Sequence, residues 1–394
     1  MSRNGFFVID AETHLMEPHD LWSHGLPEPY RSLTEFVSPE AGNADQGGQS
    51  IRHGQDIVIP NPASRGLESH IRQQSVRRIE LDPMLTKVLR DPSPANYLEG
   101  MDRAGLDVAL LMPTFGMFII KHDDIAPAHA AELCRVYNDY ARDFCHTDPA
   151  RLRWWAWLAP HDVNLAIEEA RRCVAEGAIG LSTTPQAVNG RLYSDPAYEP
   201  LWQAVEDLNV PFGFHGGQGP AALRDDIRAR FWGQPLTSVA ASVMGGLFYH
   251  TSILTELILG GVLERHPGLR VMVMESAATK FLWLMWQLDE KWETFGPDQR
   301  EELTLRPSEY FRRQCFVCID PTEDVLHYAV DYLGDQSFVL SIDYPHHDCE
   351  FPDGIDRFLE LPGLTETAKR HILWENVERL LGCSVAKPEL EGVR

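Results

Sequence analysis

One recurrence constrains this chain more than anything else in it. Eight short apolar runs are each followed by polar, glycine or proline residues and then by a helical pattern. The runs are Phe6–Asp10, Val108–Met112, Trp154–Ala159, Ile179–Thr183, Val210–His215, Arg270–Glu275, Cys315–Asp320 and Phe338–Asp343. Near-continuous apolar runs of this length mark strands buried on both faces, as in parallel sheets. Apolar positions at helical spacing fill Ala128–Cys145, Asn164–Glu176, Ala197–Leu208, Ser252–Arg265, Lys280–Lys291, Thr322–Leu333 and Glu366–Leu381. Strands alternating with helices fit a closed barrel or a doubly wound sheet. Eight is the barrel number, and no GxGxxG follows an early strand to favour dinucleotide binding. The expected fold is a single (β/α)8 TIM barrel of the α/β class over residues 1–394.

Residues 17–98 interrupt the alternation and are too long for a βα loop. They include the Gly/Asn/Gln-rich stretch Ala41–Gln55. An insertion after the first strand is expected, either over the mouth of the barrel, at a subunit contact, or as an excursion without a role.

Composition narrows the partners. A formal net charge of -23 repels phosphate backbones and argues against nucleic acid. The seven cysteines are odd in number and scattered, which does not suggest a disulfide framework. Cys315 and Cys318 form a CxxC, but residues three apart on a strand face opposite sides, so they read as buried thiols. There is no signal-peptide apolar region and no run of 18 apolar residues. A cytoplasmic location, away from membranes, is expected.

Polar groups collect at the ends of the runs. The first ends Asp10-Ala-Glu12-Thr-His14, the fifth in His215, the sixth in Glu275, the seventh in Asp320 and the eighth in Asp343, with His346 and His347 beyond. In a TIM barrel the catalytic groups come from these C-terminal strand ends. Glu12 and His14 are two apart on an extended segment and so share a face. A carboxylate beside an imidazole is half a metal site. Each residue alone has an ordinary structural reading, as a solvated turn, a core histidine or a helix cap. Together on one rim, Glu12, His14, His215 and Asp343 are expected to hold a divalent metal. Zn, Mn or Fe would suit, at one per chain, with room for two if Glu275 joins. Glu17 and His250 add further candidate groups.

The segment Val8-Ile-Asp-Ala-Glu-Thr-His-Leu-Met-Glu-Pro18 resembles the first-strand signature of the amidohydrolase-related family. That family includes aminocarboxymuconate semialdehyde decarboxylase and the resorcylate decarboxylases. His215 in Phe-Gly-Phe-His-Gly-Gly is similar to its fifth-strand ligand, and Ser341-Ile-Asp343-Tyr-Pro-His346 to its eighth-strand segment, where the aspartate binds metal. Gly261-Val-Leu-Glu-Arg-His-Pro267 and Asn376 are also similar to family features. One departure stands out. The decarboxylases typically carry a catalytic histidine after strand six, where this chain has Val273-Met274-Glu275-Ser276. Glu275 is then a candidate general acid or base, a ligand to a second metal, or a simple partner of Lys280.

The leading expectation is a metal-dependent hydrolase or non-oxidative decarboxylase of a small carboxylated or acyl substrate. Asp343, His346 and Glu275 would move its protons. The alternative is a dinuclear non-heme iron oxygenase hydroxylating a bulky apolar substrate on the same barrel. A non-catalytic binding protein on a degenerate barrel is the third. Phe115 to Phe118, Trp154, Trp155, Trp157, Phe231 and Trp232 would line an apolar pocket if they face the mouth, and otherwise belong to the core. A homodimer is plausible through the insertion.

Overall fold

The computed structural model describes residues 3–18, 20–37, 50–53, 56–59, 82–216, 237–296, 303–346 and 349–387. Eight strands form one sheet in chain order: Ile9–Leu15, Val108–Pro113, Leu152–Trp157, Gly180–Thr183, Phe212–Phe214, Val271–Val273, Cys315–Ile319 and Phe338–Leu340. They are called the first to eighth barrel strands below. Each is parallel to the next. The second and seventh are buried at every residue, which is why they read as unbroken apolar runs.

The eighth strand returns to the first through individual bonds instead of a regular ladder. His14 N donates to Tyr344 O at 2.7 Å, Ser341 Oγ to the Glu12 carbonyl at 3.0 Å, and Ile342 N to Asp10 Oδ2 at 3.2 Å. The result is the nearly closed (β/α)8 barrel expected from the alternation.

The first strand differs from its expected bounds. It begins at Ile9 and runs through Leu15, so Glu12 and His14 lie within it. Their polar side chains break the apolar pattern in the sequence, yet the strand continues because the barrel interior binds them. The fifth, sixth and eighth strands stop short of His215, Glu275 and Asp343, which sit just past the ladder.

Outer helices follow the predicted stretches closely, for instance Pro127–Cys145, Val163–Ala175 and Ala278–Phe295. Asp162 caps the second of these by accepting from Asn164 N and Leu165 N at 2.8 and 3.0 Å. The stretch Glu366–Leu381 is helical throughout but passes through a π-helical turn at His371–Glu375. Asn376 ties it to the eighth strand by donating to Asp335 O and Phe338 O at 2.7 and 2.8 Å.

The segment after the first strand has structure of its own. Glu35–Val37, Ser50–His53 and Asp56–Ile59 form a small antiparallel sheet. Its last strand lies against Gly116–Lys121, the turn that follows the second barrel strand. Helix Pro94–Ala104 spans the expected end of this segment near Leu98 and leads into the second barrel strand. Its start signal was Ser93 followed by proline at the first helical position. Most of Ala41–Gln55 lies outside the described residues, as do Phe231, Trp232 and His347.

Trp154, Trp155 and Trp157 are buried in the core. Trp155 packs where Gly180 leaves space; a Cβ there would come within 2.3 Å of its ring. Phe115 is buried and Phe118 packs half-buried against the same core. All seven cysteines are free thiols, with Cys315 and Cys318 buried as read from the sequence. Among the described residues no helix is long and apolar enough to cross a membrane.

Candidate metal centre

The first strand supplies two side chains to one point. Its register shifts between Asp10 and Thr13, and beyond that irregularity Glu12 and His14 project together, His14 Nε2 3.8 Å from Glu12 Oε1. Both are buried. His14 Nδ1 lies 3.1 Å from the Pro113 carbonyl, and Thr114 Oγ1 is 3.4 Å away. A carbonyl only accepts, so Nδ1 carries the proton and Nε2 presents its lone pair inward. Tyr97 fixes the backbone behind it: its hydroxyl donates to His14 O and accepts from Met16 N, both at 2.9 Å.

His215 and Asp343 arrive from the fifth and eighth strands. His215 Nε2 lies 3.2 Å from His14 Nε2 and 2.9 Å from Glu12 Oε1. Asp343 Oδ1 lies 3.3 Å from His14 Nε2. His346 Nδ1 donates to Asp343 Oδ2 at 3.0 Å, and its ring stacks on His14 with centroids 3.8 Å apart. Asp343 and Glu275 both hold left-handed backbones, with φ of 60° and 49°. For residues with a Cβ this conformation is sparsely populated, and such strain concentrates at functional sites.

The charges are strongly coupled. Burial opposes the Glu12 carboxylate, but hydrogen bonds and attraction from His14 and His215 hold its carboxyl well below the ordinary range. Burial and the neighbouring His346 push His14 down to about 4, despite Glu12 and Asp343. Burial also works against charge on His215, where Glu12 outweighs it and raises the imidazole above its usual value. Asp10 is raised well above the carboxylate range by burial, although it accepts from Glu12 N and Ile342 N.

Donor atoms of Glu12, His14 and His215 therefore gather around one buried point, and Asp343 adjoins them through His14. A cation bound at about 2.0–2.1 Å sets neighbouring ligands about 3.0–3.4 Å apart, close to the 2.9–3.8 Å found here. Glu12 Oε1 and Asp343 Oδ1 are buried without an aligned hydrogen-bond donor among the described residues, as oxygens directed at a cation would be. The donor set suits a divalent transition ion. Two groups of residues satisfy the spacing for ligation, Glu12 with His14 and His215, and His14 with Asp343 and His346.

The remaining candidates divide. Glu275 is more than half exposed, with Oε2 4.0 Å from His215 Nε2 and its backbone amide donating to Glu12 Oε2 at 2.7 Å. Lys280 does not pair with it; its ammonium lies 3.1 Å from His250 Nδ1. Glu17 is not among the converging donors: it accepts from the Phe115 and Gly116 amides and anchors the loop after the second strand. Asp320 caps its own turn, accepting from Thr322 N at 2.7 Å. Asp10 and Tyr97 were missed as supports of the site. Only Asp10, a carboxylate inside an apolar run, carried a signal in the sequence.

Fold and donors together define a (β/α)8 barrel with a candidate cation centre at its C-terminal rim. The chain belongs to the Amidohydrolase family, whose profile matches residues 9–383. It is 29% identical over 231 residues to a gamma-resorcylate decarboxylase of Rhodococcus jostii, spanning 55% of this chain and 67% of the relative. It is 23% identical to the 2-amino-3-carboxymuconate-6-semialdehyde decarboxylase of Dictyostelium discoideum, over 73% of this chain and 76% of that one. An amidohydrolase structure from Mycobacterium avium subsp. paratuberculosis superposes with a TM-score of 0.75 at 20% identity, covering 96% of this chain and 100% of its own. A 5-carboxyvanillate decarboxylase from Novosphingobium aromaticivorans, solved with manganese and a nitrobenzoic acid, gives 0.68 at 16% identity, covering 96% and 98%.

Proposed function

We propose that this protein is a divalent-metal-dependent, non-oxidative decarboxylase of a small carboxylated aromatic substrate. Glu12, His14, His215 and Asp343 hold the metal in this reading, and manganese is the first ion to test. The observation that carries it is the gathering of the Glu12, His14 and His215 donor atoms with Asp343 3.3 Å from His14, two of the oxygens buried without aligned donors among the described residues. The decarboxylases among the relatives and solved neighbours supply the reaction class.

The metal, when bound, supplies a positive centre for the substrate carboxylate and an adjoining phenolic oxygen. His14 keeps its lone pair inward through Pro113, and Tyr97 holds the strand that carries it. His346 orients Asp343 and, half-buried beside it, is placed to exchange a proton with the mouth. Elemental analysis of the purified protein combined with CO2 release from hydroxybenzoates tests the proposal. One metal per chain and chelator-sensitive CO2 release are expected; full activity after exhaustive chelation would sink it.

A second reading is a dinuclear iron hydroxylase. The Glu275 carboxylate, 4.0 Å from His215 Nε2, favours it as a residue that would hold a second ion. Two irons per chain with oxygen uptake would select it over the first.

A further inference from the structure

The segment after the second barrel strand is stitched to the loops that follow four other strands. Thr114 Oγ1 lies 3.4 Å from His14 Nδ1, and the Phe115 and Gly116 amides donate to Glu17, beyond the first strand. Met117 Sδ lies 3.4 Å from where a Cβ on Gly216 would stand. Gly216 is one residue, about 3.8 Å along the chain, past His215. His161, beyond the third strand, donates from Nε2 to His122 O at 3.0 Å. Asn189 N, beyond the fourth, donates to Asp123 Oδ1 at 2.8 Å. Residues 114–123 therefore run across the C-terminal rim between the first and fifth strands. The Nε2 atoms of His14 and His215 are 3.2 Å apart. A segment tied to His14 at one point and touching the neighbour of His215 three residues later adjoins the donor cluster itself.

This cover is one-sided. Glu12, His14 and His215 are buried, whereas the side chains of Glu275, Asp343 and His346 are 58%, 31% and 22% exposed. The centre opens beside the sixth and eighth strands, and a molecule entering there meets residues 114–123 as the opposite wall. Gly216 leaves room at that wall. It has a φ of 76° and no side chain, and among the described residues Met117 Sδ is the one atom within 4 Å of its Cβ position. Met117 is buried but keeps 6% of its surface accessible. Its thioether is apolar, polarizable and unbranched, which suits contact with an aromatic ring.

Resting on the decarboxylase reading, we infer that Met117 is a specificity-determining residue, its thioether forming the apolar wall against which the substrate's aromatic ring lies. The carboxylate end of the substrate faces the proposed metal ligands, and the ring takes the space beside Gly216. The ring is held alike before and after its carboxylate leaves, so this contact sets KM and leaves kcat alone. Ring substituents directed at the wall compete with the thioether for room, so the same residue limits the size of substrate admitted.

The test uses metal-loaded wild type, Met117→Ala and the similarly long Met117→Gln, with CO2 release from 2,6-dihydroxybenzoate and the bulkier 5-carboxyvanillate. Metal content and circular dichroism check each variant. For each probe turned over, Met117→Gln is expected to raise KM by about 10-fold or more, with kcat within about threefold of wild type. Met117→Ala is expected to shift the kcat/KM ratio toward 5-carboxyvanillate by about 10-fold, because the lost thioether leaves room for its methoxy group. A Met117 that only supports the fold would act on His14 through Thr114, so its loss would lower metal content or kcat instead. An active wild type with KM unchanged in both variants, or variants that lose metal or kcat with KM unmoved, overturns the Met117 assignment alone. A metal-bound wild type releasing no CO2 from either probe overturns the decarboxylase reading and the assignment with it.

Discussion

Glu12→Gln probes the candidate centre through the different uses of two oxygens. Oε2 accepts the Glu275 amide at 2.7 Å, while Oε1 faces His215 Nε2 at 2.9 Å and His14 Nε2 at 3.8 Å. Glutamine has one oxygen, and the Glu275 N–H demands it. The side-chain NH2 then replaces Oε1 and has no lone pair for a cation. The reverse rotamer sets N–H against N–H and leaves a buried donor unpaired, costing about 1–3 kcal/mol. Either way one of the four proposed ligand atoms and one negative charge are lost with the shape unchanged. Partners one step removed from a metal are worth about 10–100-fold in affinity. A direct ligand should therefore be worth about 100- to 1000-fold, or about 3–4 kcal/mol. Calorimetric titration of metal-stripped wild type and variant with Mn2+ and Zn2+ measures this, with circular dichroism checking the fold. A variant binding one equivalent at wild-type affinity would refute the placement of Glu12 against the ion.

Other substitutions separate support from chemistry. Tyr97→Phe leaves the buried His14 carbonyl and Met16 amide without the hydroxyl, so stability should fall by about 2–4 kcal/mol in urea unfolding; an unchanged midpoint contradicts this. Burial raises the Glu17 carboxyl to about 7 despite the amides it accepts. The folded state then binds more protons than the unfolded chain between about pH 4.3 and 7, and stability declines as pH rises through that window. Glu17→Gln should remove the decline, gaining about 3 kcal/mol over wild type between pH 4 and 8; parallel urea midpoints across that range would count against it. Gly180→Ala drives a methyl to within 2.3 Å of the buried Trp155 ring and should cost about 1–3 kcal/mol, with a lowered thermal midpoint as the readout.

The strand–helix alternation was legible because strands covered on both faces must be apolar end to end, a pattern local to each run. The polar residues at the strand ends were legible as well. Glu12, His14, His215, Asp343 and His346 stand at the ends of those runs, where a parallel barrel gathers its chemistry. Their individual atoms were not. Glu12 meets the amide of Glu275 across 263 positions, and His14 meets His215 across 201. Periodicity assigns a side chain to a face without naming its partner. The left-handed turns at Glu275 and Asp343, the Asp10 bridge across the barrel seam, the Tyr97 brace and the His250–Lys280 pair arise only when distant segments pack. Order along the chain determined the barrel and which residues ring its mouth. Tertiary packing alone decided which lone pairs converge, because that depends on ångström-scale register between strands the chain visits far apart.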